Sequence, residues 1–159
     1  MNDSQKLLPF ALDRQRYALF LSSVEKVHRT VEVTPLPKAP PIVLGVVNVR
    51  GRIIPVIDMR KRFGLPERET GPDDRLIVAK TPRLHVALVA DSVDGVIEID
   101  GEEIIRTDRV LPKTEYVEGV VKLDDGLLLI HDLDRFLSLG EEKALMNSLI
   151  LPSCRNPGA

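Results

Sequence analysis

The sequence predicts a mainly β fold made of two related units, and three observations carry that prediction. Apolar residues come in short runs rich in Val, Ile and Leu, bounded by Gly, Pro, Asp and Asn. The chain also repeats itself. At an offset of 69, Tyr17-Ala-Leu-Phe-Leu-Ser-Ser-Val-Glu-Lys-Val27 lies over Val86-Ala-Leu-Val-Ala-Asp-Ser-Val-Asp-Gly-Val96, and at an offset of 74 residues 45–59 lie over 119–133. Finally, residues 45–64, GVVNVRGRIIPVIDMRKRFG, read as strand, tight turn, strand and short helix. Each repeated unit is too small to be stable alone, so the two are expected to share a core across a pseudo-two-fold relation.

Taken in order, residues 7–12 and 16–21 read as strands around a turn at Asp13-Arg14-Gln15. Residues 22–27 shorten into a turn or brief helix, and 28–33 is a further strand. Residues 34–41 hold four prolines in eight positions and form an extended connector. In the hairpin that follows, Gly51-Arg52 is expected as a type II′ loop. Asn48 and Arg50 fall on one face of the first strand, Val47 and Val49 on the other. Pro55 cannot donate to a ladder, which predicts an edge or bulge. Asp58 is expected to cap the short helix and Gly64 to end it. Residues 66–74 are a polar loop expected to be mobile. Strands follow over 76–80, 86–90 and 93–99, then a mixed stretch at 101–106 and an irregular one at 108–115. A second hairpin spans 116–131, a second short helix 132–139, and an amphipathic helix 141–151 before the tail. The halves are taken as about 7–64 and 76–139 of one domain over 1–159, with strand exchange left open.

Composition narrows the function. The net charge is −2 with signs mixed, aromatics are 4% and Trp is absent, which disfavours a nucleic-acid surface. The single Cys154 leaves no disulfide framework and no Cys metal cluster. The N-terminus lacks a signal-peptide layout and no apolar run suits a membrane helix, so a cytoplasmic protein without membrane insertion is expected. No catalytic motif, cofactor loop or metal-ligand spacing is present, so no enzyme, cofactor or metal site is expected. His131-Asp132 is read as the counterpart of Ile57-Asp58 and not as a metal site. Residues 59–62 are read as a solvated helix face, and 100–103 as a solvated turn. Where the first half has Asn48, Arg50 and Gly51, the second has Lys122, Asp124 and Asp125. The shared frame with divergent tips directs attention to Arg50.

The stretch 45–64 resembles the signature of the CheW-like domain, the adaptor fold of bacterial chemotaxis arrays. That family writes it roughly as G-v-[IVT]-N-[LV]-R-G-x-[IV]-[IV]-P-[IV]-[IV]-D-L-R. The resemblance continues through 10–29, 75–96 and 116–137, nearly the whole chain. It implies two intertwined five-stranded SH3-like barrels sharing a core, with short helices and a C-terminal helix. It also implies a stand-alone coupling protein bridging a methyl-accepting chemoreceptor's helical tip and the regulatory domain of a CheA-type histidine kinase, monomeric by itself. The receptor-facing positions it implies are Val24, Arg50, Leu76 and Val96. The kinase-facing ones are Leu44, Gly45 and Ile53 in the first half, and Arg106 and Leu111 in the second. Lys26 stands where the family has Glu, and His28 where it usually has Arg, which bears on receptor choice. The alternatives are an adaptor of a non-motility array, a small-barrel nucleic-acid or ribosome-binding module, and an enzyme of unfamiliar type.

Overall fold

The computed structural model describes residues 4–69, 71–82, 84–106 and 117–133. The expected helices beyond residue 133, the irregular stretch 108–115 and Leu111 lie outside them. Strands β1 (Ser4–Leu12) and β2 (Gln15–Phe20) form the first hairpin, and a 3₁₀ turn, Leu21–Ser23, leads into β3 (Val24–Arg29). The second hairpin is β4 (Val43–Val49) with β5 (Arg52–Ile57), followed by helix α1 (Met59–Arg62). Then come β6 (Arg75–Lys80), β7 (His85–Ala90), β8 (Ser92–Val93), β9 (Ile97–Asp100) and β10 (Ile105–Arg106). The last hairpin is β11 (Val117–Leu123) with β12 (Gly126–His131).

The strands form two sheets. One runs β10-β11-β12-β2-β1-β8, with β9 also on β1; the other runs β3-β6-β7-β5-β4. The sequence repeat is reproduced pair by pair. Leu7↔Phe20 in the first hairpin becomes Leu76↔Val89 on shifting by 69. Shifting by 74 turns Gly45↔Val56 into Gly119↔Ile130, with the bulge one step earlier preserved. Even the parallel contacts correspond, Val56↔Ala87 with Ile130↔Ala18. Each repeated hairpin therefore joins a strand of the other sequence half. The second sheet is built from residues 24–90, and the first from the segments on either side.

Alternating side chains divide the apolar residues among three cores. Phe10, Leu12, Leu19, Ile57, Ile77 and Leu88 meet between the sheets. Val47, Ile54, Val56, Leu76 and Val78 fill the second sheet's own concave face, and Leu7, Ala18, Val121, Leu128 and Ile130 fill the first's. Strands such as β6 are buried on both sides, which explains their unbroken apolar runs.

Several local expectations change for identifiable reasons. The third strand takes Val24–Arg29, four residues of it from the expected turn over 22–27, and it ends at Arg29 instead of 33 because Thr30 turns its hydroxyl to the carbonyls of Asp74 (2.7 Å) and Gly71 (3.1 Å). The strand expected over 93–99 is broken at 94–96. Pro9 opposite the break accepts from the Asp94 N–H at 2.9 Å but has no N–H to return. Pro55 lies inside a sheet, between β7 and β4. It is tolerated there because its partner Val46 directs both backbone groups outward to Thr34, at 2.8 Å each, so β4 asks no donor of Pro55. Asp58 and Gly64 behave as expected: Asp58 accepts from the Lys61 N–H, and Gly64 takes φ +70 as Leu65 N–H closes onto the Arg60 carbonyl at 2.8 Å.

The stretch 59–62 is not a solvated face. Arg60 is 8% exposed. It donates to both oxygens of Asp91 (2.7 Å each) and to the Pro66 carbonyl (3.0 Å), and it pairs with Asp13 at 2.8 Å. Asp91 also accepts from the Asp13 N–H and from Arg68, which in turn holds Asp74. This network ties the β1–β2 turn to the end of β7 across the two sheets. It also anchors the polar loop 66–74 at both ends. Burial raises the Asp91 carboxyl, but the Arg60 hydrogen bonds and the Asp13 N–H outweigh it, leaving its pKa below the usual value.

His131 takes the core place of Ile57 in the repeat, 2% exposed and edge-on to the Phe63 ring at 5.2 Å. Burial, helped by the charge of Arg62, lowers its pKa to about 3. The folded value lies below that of the unfolded chain, so the neutral imidazole's contribution is intact above about pH 6.5 and is lost as pH falls below it. Between pH 6.5 and 5 the fold is expected to lose about 2 kcal/mol by this route. Urea unfolding across that range checks it, and His131→Ile should flatten the profile.

Candidate functional site

The β4–β5 tip is built by Arg50 and Gly51, at φ +53 and +85. Both central residues are left-handed, so the turn is of type I′ and its loop is Arg50-Gly51, not the expected Gly51-Arg52. Val49↔Arg52 closes the ladder, and the Asn48 carboxamide oxygen accepts from the Gly51 N–H at 2.8 Å. Asn48 faces Ile53 across the strands, and Ile53 is 56% exposed. A left-handed arginine costs about 1 kcal/mol, so local propensity does not explain Arg50.

The tip reaches β3 at the opposite edge of the same sheet, curling the sheet toward a barrel. Arg52 bonds Glu25 at 2.6 Å, and His85 lies 3.0 Å from the same carboxylate. The hydrogen bond from Arg52 lowers the Glu25 pKa, with burial opposing and the charges of Arg52, His85 and Lys80 assisting. Next along β3, burial lowers His28, and Lys26 and Arg50 lower it further by like charge. Arg50 is exposed and makes no hydrogen bond or ion pair among the described residues.

The other expected site residues are distributed unevenly. Leu44, 40% exposed, shares β4 with the Arg50 tip, and Ile53 lies on the adjoining strand. Val24 is half-buried at the margin of the inter-sheet core, one residue before Glu25. Val96, 49% exposed, and Arg106, at the end of β10, belong to the first sheet's side. Two expectations need correction. Leu76 is 0% exposed inside the second sheet's core and presents no surface to a receptor. Gly45 is buried, and a Cβ there would lie 2.2 Å from the Thr34 carbonyl oxygen, so the crossing connector explains this glycine. Sequence reasoning also missed Leu127, 48% exposed, although the offset of 74 makes it the counterpart of Ile53.

Among the described residues no three His, Cys, Asp or Glu side chains are placed to hold a metal ion, and no helix is long and apolar enough to cross a membrane. What the fold presents is surface: an exposed cationic turn, a paired charge at its base and separate exposed aliphatic residues. These features sit on two intertwined β units, each repeated hairpin joined to a strand of the other sequence half. Comparison with known proteins identifies the family. The CheW-like domain profile matches residues 6–141, and the chain belongs to the CheW-like domain family. It is 33% identical to the chemotaxis protein CheW of Thermotoga maritima, over 83% of this chain and 87% of that one. Identity to the chemotaxis protein CheW of Bacillus subtilis is 31%, over 84% and 86%. The crystal structure of the scaffolding protein TtCheW from Thermoanaerobacter tengcongensis matches with a TM-score of 0.79 and 34% identity, covering 89% of this chain and 96% of that one.

Proposed function

We propose that this chain is a chemotaxis scaffold adaptor, one domain that couples the helical tip of a chemoreceptor to the regulatory domain of a CheA-type histidine kinase. It works by assembly, without catalysis, in the cytoplasm beside the receptor arrays. The observation that carries this reading is Arg50. It lies in the family's N-x-R-G motif, at an exposed turn whose backbone disfavours arginine, with its charge unsatisfied by the described residues. Its counterpart on the other hairpin is Asp124, so the turn itself does not demand a cation. Val24 and Val96 are the further receptor candidates, and Leu44, Ile53 and Arg106 the candidates for the kinase.

Arg50→Ala is expected to weaken binding to a receptor-tip fragment by about 2 kcal/mol, roughly thirtyfold in Kd. The effect on the thermal midpoint should stay within that of about 0.5 kcal/mol. Arg50→Gly separates the two roles further. It also removes the guanidinium but relieves the left-handed backbone, so it should bind poorly while melting no lower than wild type. A melting loss as large as the binding loss would make Arg50 a structural residue.

A further inference from the structure

The rim around Arg50 differs in charge from the equivalent rim on the other hairpin. Among the described residues it gathers Lys26 on β3, Arg50 and Arg52 at the tip, and Lys80 at the end of β6. Its acid, Glu25, is already engaged by Arg52 at 2.6 Å and His85 at 3.0 Å. Lys26, Arg50 and Lys80 have no ion pair among the described residues and are all exposed. The two offsets place Gly95, Asp124 and Ala11 at the corresponding positions of the other unit. The same scaffold therefore forms without a cation at these three positions, its other tip carrying instead Lys122 and an Arg16 paired with Asp125 at 2.7 Å, and packing does not require Lys26, Arg50 and Lys80. The depressed pKa of His28 agrees, since Lys26 and Arg50 both add to the effect of its burial.

Unpaired like charges on one rim, acting together on His28 and Glu25, repel one another in the free protein. An acidic partner removes that repulsion and gains charge-assisted hydrogen bonds, while a basic partner meets an added penalty. We infer that this rim selects a receptor-tip helix bearing carboxylates, with Lys26 and Lys80 joining Arg50 as the residues that set partner choice. The inference rests on the receptor reading above and adds the chemistry of the partner.

Binding of a receptor-tip fragment, followed by titration calorimetry at low and high salt, tests it. Lys26→Glu and Lys80→Glu should each weaken binding roughly tenfold or more, and wild-type affinity should fall with salt. Replacing the fragment's carboxylates by amides should reproduce the loss and make Lys26→Glu nearly silent. Melting curves verify folding, and Lys26→Ala replaces Lys26→Glu should the latter unfold. Wild-type affinity retained by both reversals, alongside a weakened Arg50→Ala, overturns this inference and leaves the receptor reading standing. A wild-type protein that fails to bind the fragment overturns both.

Discussion

Arg60→Ala is expected to destabilise the fold by about 3 kcal/mol, the lower end of the range for breaking a buried ion pair. The Arg60 side chain is 10% exposed, and its guanidinium satisfies two carboxylates and one carbonyl at 2.7–3.0 Å. Its removal leaves Asp13 and Asp91 facing each other across the sheet junction. Both carboxylates reach water, at 37% and 24% exposure, and Arg68 still contacts Asp91, which keeps the effect below the upper end. For a chain of this size the thermal midpoint should fall by roughly 9 °C. Asp13→Asn, at the more exposed of the two carboxylates that Arg60 holds, should do much less. Equal losses from the two variants would mean that the network is held by its surface members and that the burial of Arg60 is incidental.

Gly45→Ala is expected to be comparably damaging, at roughly 3 kcal/mol, for a different reason. Its φ is +155, and the new methyl would meet backbone: Thr34 oxygen at 2.2 Å and Thr34 carbon at 2.8 Å. Thr34 cannot retreat without breaking its two 2.8 Å hydrogen bonds to Val46. The repeat supplies an internal control. At Gly119 the nearest atom is the Ile104 Cγ2 at 2.7 Å, side chain and not backbone, and the φ there lies outside the left-handed region that strains a side chain. Gly119→Ala should therefore be milder than Gly45→Ala in urea unfolding. The reverse order would show that the connector yields more readily than the packed isoleucine. A Gly45→Ala protein that melts like wild type but no longer binds the kinase would restore Gly45 as a contact.

The candidate site was legible to different depths. Arg50 stood out because the repeat aligned it with Asp124 on a common frame, and the structure leaves it exposed at the turn. The turn's own conformation was misread by one residue, since Gly51 suits either position and only the Val49↔Arg52 pairing decides between them. Leu76 and Gly45 were assigned to surfaces by resemblance, yet both are buried. An apolar strand residue carries no mark of whether its face is covered once or twice. Arg60 was hidden for a related reason. Three consecutive basic residues on a short helix look solvated, and its partners Asp13 and Asp91 are remote in sequence.

The amino-acid sequence by itself determined that the repeated hairpins pair alike in the two halves, while their register was decided by the Arg50-Gly51 turn. Matched apolar residues must face matched cores, and a one-residue slip would turn every side chain the wrong way. It also determined the cap and stop of α1, because Asp58 and Gly64 act within one helical turn. Only the tertiary structure decided which hairpin completes which sheet, where Arg60 finds its carboxylates, and that Glu25 is neutralised while Lys26, Arg50 and Lys80 are not. Those outcomes join residues far apart along the chain, and neither periodicity nor local propensity reports on distances across a fold.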